Sequence, residues 1–84
     1  MDEKTLRALV EAGALKRVSI VADGAHFYVE AQAGKSTVVA STGKGVPKTW
    51  RTLDAAARWV RGLGLGEAMI DVSRWRPDQR ALPL

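Results

Sequence analysis

Residues 17–41 read R-V-S-I-V-A-D-G-A-H-F-Y-V-E-A-Q-A-G-K-S-T-V-V-A-S, and the period of this stretch decides the fold. Residues 17–22 read as a strand with Val18 and Ile20 on one face. Phe27, Val29 and Ala31 then alternate with His26, Tyr28, Glu30 and Gln32 in residues 25–32. A period of two is that of a strand with one face turned inward. Asp23-Gly24 and Ala33-Gly34 are tight-turn signals, and residues 35–41 supply a third β-branched run. Three strands joined by short turns make an antiparallel meander with one wet face.

Outward from this stretch the period becomes helical. At the N-terminal side Asp2 can cap a short helix with Leu6, Leu9 and Val10 along one stripe, and Gly13 can end it. On the other side lies a Gly- and Lys-rich loop, residues 42–51, in which Pro47 forbids regular pairing. Thr52 caps a second helix with Asp54 in its first turn and Leu53, Ala56, Ala57, Val60 and Leu63 in one apolar arc. The glycines at 62, 64 and 66 break it. Residues 67–72 read as a last short strand. The expected fold is therefore a two-layer α+β sandwich in the order α-β-β-β-α-β. Its four-stranded sheet is expected to be antiparallel, with both helices on one face. Residues 1–73 form the domain, and residues 74–84 an irregular, basic, proline-containing tail.

Composition narrows the function. The chain has 84 residues, enough for one domain with a thin core, and is 46% hydrophobic and 26% charged. No cysteine is present and only one histidine, which argues against thiol chemistry, Cys-based zinc sites and a Ser/His/Asp triad. No run approaches the length of a bilayer span and no leader-like start is visible, so a cytoplasmic location is expected, with no membrane contact. Lys and Arg exceed Asp and Glu by 13 to 9, a net +4 that suits an anionic partner without requiring one.

Motifs that suggest chemistry have plainer explanations. Gly34-Lys35-Ser36 ends like a phosphate-binding loop, but the required earlier glycine is Val29, and a strand rather than a helix follows. The glycines at 62, 64 and 66 follow a helix and precede a strand, the reverse of a dinucleotide fingerprint. His26 and Glu30 lie about 13 Å apart on a strand, too far to share a proton. The chain is thus expected to be no enzyme, with no cofactor, no metal and no small-molecule substrate.

Two basic–aromatic groups remain. Lys44, Lys48, Trp50 and Arg51 crowd the loop before the second helix; Arg74, Trp75 and Arg76 open the tail. Cations and indoles together suit phosphate pairing and base stacking, a protein interface, or the sealing of a small core, and all three readings stay open. The outer sheet face, expected to carry Tyr28 and Val38, offers a surface for self-association as a homodimer. Partners are therefore another protein, a second copy, or DNA or RNA.

The chain resembles the ParC-like partition-associated small proteins of bacterial plasmids and integrating elements. The resemblance is carried by T-L-R-A-L-V-E-A-G-A at residues 5–14, V-S-I-V-A-D-G at 18–24, T-L-D-A-A-A-R-W-V-R-G-L-G at 52–64 and I-D-V at 70–72. It implies an accessory binding module of plasmid or mobile-element maintenance, without cofactor or catalytic residues. The α-β-β-β-α order is also similar to that of double-stranded RNA-binding domains. There Gly43-Lys44-Gly45, Lys48 and Arg51 would correspond to the phosphate-clamping loop, although Asp54 stands where lysines would be expected.

Overall fold

The computed structural model describes residues 1–76. Its elements are α1 (Glu3–Glu11), β1 (Leu15–Gly24), β2 (His26–Ala33), β3 (Ser36–Val39), α2 (Leu53–Gly62) and β4 (Met69–Trp75). Both helices start where short polar side chains can replace missing backbone partners. Asp2 Oδ1 accepts from the Thr5 N–H at 2.9 Å, and Thr52 Oγ1 from that of Ala55 at 3.1 Å.

The two hairpins are built on glycine. Asp23 pairs with His26 and Ala33 with Ser36, so the loops are Gly24-Ala25 and Gly34-Lys35, each one residue later than the turn signals suggested. Gly24 and Gly34 have φ of 65° and 63°, the left-handed backbone that a type II′ turn reserves for glycine at its first loop position.

Register sets the faces. Val18 lies opposite Ala31, Ile20 opposite Val29 and Ala22 opposite Phe27, so these six side chains share one face and are all buried. Leu6 of α1, Ala56 and Val60 of α2, and Leu63 close the same core over them. Both helices thus serve one face of the sheet.

The sheet itself differs from the expectation of an antiparallel one. Its order is β3-β2-β1-β4, and β4 runs parallel to β1 while the other two pairs are antiparallel. Two hairpin reversals leave β3 parallel to β1. The connection through α2 then carries the chain to the far edge, past β2 and β1. A helical crossover of this kind returns a strand in its original direction, whereas a short hairpin cannot.

Two further expectations are corrected. Val38 pairs with Ala31 and packs against the core, so it does not belong to the outer face; Val39, opposite Glu30, does. Two adjacent valines carry no parity of their own, and only the partner strand tells them apart. The last strand also extends through Arg74 and Trp75, two residues that the sequence places in an irregular tail. Of that tail, residues 77–84 lie outside the described residues.

Candidate functional site

The loop group is largely turned inward. After β3 the chain makes a tight turn, in which the Thr42 N–H donates to Val46 O, and then returns to the sheet. Trp50 pairs with Phe27 through two backbone hydrogen bonds of 2.8 Å, taking a place beside β2 that β3 has left. Its ring packs on Trp59 at 5.1 Å between centroids. Lys48 Nζ lies 5.9 Å from the Trp50 ring and 5.7 Å from the Trp59 ring, a cation–π position on both. Trp59 Nε1 donates to Glu3 Oε1 at 3.1 Å, Arg7 donates to Glu3 Oε2 at 2.9 Å, and Arg7 also reaches Gly62 O at 2.8 Å. Lys48 and Trp50 therefore lace the loop to α2 and, through Trp59 and Glu3, to α1. Lys44 and Arg51 stand exposed in the same loop.

This polar seam is expected to weaken in acid. Hydrogen bonds from Arg7 and then Trp59 hold the Glu3 carboxyl below its ordinary value, and the Thr5 backbone N–H does the same for Asp2. A carboxyl whose folded-state pKa is depressed adds stability that is present above its unfolded value. That stability is lost as pH falls through the folded value. Urea midpoints should therefore fall between about pH 6 and about pH 3, and fall less in a Glu3→Gln variant. Equal falls in the two proteins would show that Glu3 takes no part.

The C-terminal group is split across the sheet. Arg74 lies on the outer face, donating to Tyr28 Oη at 2.9 Å and standing 3.7 Å from Asp23. Tyr28 and Arg74 are thus one cluster, though the sequence suggested two surfaces. Beside them Val21, an outer-face residue, is only 3% exposed. Trp75 projects on the helix side, its ring centroid 6.1 Å from that of Phe27, yet it remains 42% exposed. Phe27 is consequently the point where the two sequence-distant groups meet: Trp50 joins it through the backbone and Trp75 through the ring.

The surface that sequence reasoning missed is β4 itself. The helix layer stops at β1, so Ile70 and Val72, which continue the apolar face, are each 50% exposed. Between α2 and β4 runs a groove of about 340 Å³ floored by Ile20 and Val60, with Leu53, Ala57, Leu65 and Ile70 along its sides. On the outer face a wider cleft of about 600 Å³ carries Arg17, Glu30, Gln32 and Asp71. Opposite Val21 and Asp23 the ladder passes from Asp71 to Arg74, so β4 contains one extra residue, a bulge. Asp71 Oδ1 caps it, accepting from the Ser73 N–H at 2.9 Å and the Ser73 hydroxyl at 2.7 Å. Those two bonds hold the Asp71 carboxyl below its ordinary value. The signal was present in M-I-D-V-S-R-W, with apolar residues at 70, 72 and 75, a strand alternation interrupted by one residue.

Among the described residues no three His, Cys, Asp or Glu side chains gather as a metal site would require, and no helix is long and apolar enough to cross a membrane. In comparison with known proteins the chain matches no family model, no curated protein and no solved structure.

Proposed function

We propose that this chain is a non-enzymatic binding module that holds another polypeptide along the β4 margin of its sheet. The observation that supports this reading is where the exposed apolar side chains lie. Of the six large hydrophobic residues exposed among the described residues, Met69, Ile70, Val72 and Trp75 are on β4. A small domain scatters such residues singly unless a partner covers them. Among the described residues no strand lies beyond β4, and such an edge beside an apolar groove suits an extended segment, whose backbone adds to the sheet while its side chains enter the groove. Burying each half-exposed aliphatic side chain contributes about 1 kcal/mol.

Nucleic acid is the weaker reading, because Lys48, one of its expected phosphate contacts, already lies over two indoles. In the setting that the ParC-like resemblance implies, the module is an accessory of plasmid or mobile-element maintenance and carries no reaction of its own.

The test is selection of short peptides from a displayed library against the protein and against an Ile70→Asp/Val72→Asp variant, whose fold is verified by circular dichroism. Peptides held by the native chain should lose at least about tenfold in affinity for the variant, about 1.4 kcal/mol. Labelled duplex DNA, duplex RNA and single strands should show no salt-dependent anisotropy change between about 50 and 200 mM salt. Nucleic-acid binding that falls steeply with salt, with no selected peptide, would overturn the proposal and move function to Lys44, Arg51 and Arg76.

A further inference from the structure

We infer that a second copy of this chain pairs with the first along β4, antiparallel, with Ile70 opposite the partner's Trp75 and Asp71 opposite the partner's Arg74. This rests on the reading of β4 as a polypeptide-binding margin and names its occupant.

The Arg76 N–H donates to Gly24 O at 2.8 Å, so Gly24 turns its bonding groups toward β4. In a parallel ladder the residue opposite such a position turns its own N–H and C=O away. Trp75, opposite Gly24, therefore presents its backbone to the open edge. By the period of two along β1, Ile20 faces β4 as Gly24 does, so Ile70, opposite Ile20, also presents its backbone to the edge. Ile70 and Trp75 can then form a hydrogen-bonded antiparallel pair with each other's counterparts, twice over about a twofold axis.

The faces agree because of the bulge. In a regular strand, residues five apart lie on opposite faces, and a pairing of Ile70 with the partner's Trp75 would set a core-side residue against an outer one. The extra residue between Asp71 and Arg74 reverses the parity. Ile70 shares the core side with Ile20, and Trp75 shares it with Phe27. Asp71 and Arg74 lie opposite Val21 and Asp23 on the outer face. One register thus joins isoleucine to tryptophan on one side and carboxylate to guanidinium on the other. A shift of a single residue would put Ile70 against the partner's Arg74, a charge on an apolar side chain.

The centre of the contact is also satisfied. Two bulges face each other there, where regular pairing fails, and the Ser73 N–H that would be stranded is already held by Asp71 Oδ1. Oδ2 of Asp71 is left to meet the incoming Arg74. The product is a continuous sheet of twice the four strands, with the two grooves on its helix side and no exposed β4 edge.

The chain has no cysteine, which makes cross-linking clean. A hydrogen-bonded antiparallel pair has Cα atoms about 5.5 Å apart, within disulfide reach. Chains carrying Ile70→Cys, mixed with chains carrying Trp75→Cys under oxidised glutathione, should give a covalent heterodimer. Either variant alone should not cross-link, because the two like positions lie about 16 Å apart in this register. In sedimentation, Asp71→Arg and Arg74→Asp should each be monomeric and their mixture should recover the dimer mass.

A concentration-independent monomer mass for the unaltered chain overturns the self-pairing. If selected peptides still bind and are lost in Ile70→Asp/Val72→Asp, the broader binding reading survives that result. A dimer indifferent to every β4 substitution overturns the inference in the opposite way, by placing the contact elsewhere.

Discussion

Leu6→Ala is expected to detach α1 from the rest of the molecule. This helix has nine residues, too few to persist in water by itself, and Leu6 is its one fully buried residue. At 2% exposure Leu6 is buried in the core cluster that also holds Val60, Leu63 and the inward side chains of the sheet. Truncating such a leucine costs about 3 kcal/mol, against a total stability of roughly 4–12 kcal/mol for a chain of this length. What remains to hold α1 is a peripheral seam, made of half-buried Val10, the Met1 bonds to Val39 and Ser41, and the bonds of Arg7 to Gly62 and Trp59 to Glu3, each worth less than a fully buried leucine. The melting temperature should fall by more than about 10 °C. Hydrogen exchange should show the α1 amides losing protection before those of β1 and β2. Unchanged protection in α1 would mean that the seam, and not the leucine, anchors the helix.

Phe27→Ala is expected to cost still more, about 4 kcal/mol, and to disturb the C-terminal basic–aromatic group. The ring is 4% exposed and lies among Ala22, the α2 side chains and Trp75. The backbone bonds to Trp50 do not depend on the side chain, so the loop retains that tether. Trp75 does not: losing its ring neighbour leaves the end of β4 unsupported on the helix side. The expected readings are a urea midpoint lowered close to the limit of folding, a red-shifted tryptophan emission in the folded fraction, and loss of contacts made through β4. Phe27→Leu keeps most of the volume and should cost under about 1.5 kcal/mol, with β4 contacts intact. If the alanine variant left tryptophan emission and stability unchanged, Phe27 would not be the junction assigned to it.

Much of the fold was legible because it is written locally. Asp2 and Thr52 announce helix starts through a single side-chain bond each. The alternation at Val18, Ile20, Phe27, Val29 and Ala31 names the inward face before any partner strand is known. The candidate residues were harder to read, since their meaning depends on neighbours that are remote in sequence. Lys48 looks like a phosphate ligand until Trp59 and Trp50 are beneath it. Arg74 looks free until β4 brings it beside Tyr28. Val38 reads as an outer-face residue in the sequence because its neighbour is also valine, and only the pairing with Ala31 distinguishes them.

By itself the sequence determined the element order, the two glycine hairpins, the helix caps and the inward set of β1 and β2. These depend on dihedral preferences and side-chain periods that span a few residues. Only the tertiary structure decided the direction of β4, the edge it occupies and the apolar margin it leaves uncovered. Those follow from where a ten-residue α2 lands on the sheet and how far it reaches across it. That outcome is set by packing against Ile20, Val29 and Leu6 together, contacts that close only when distant segments meet.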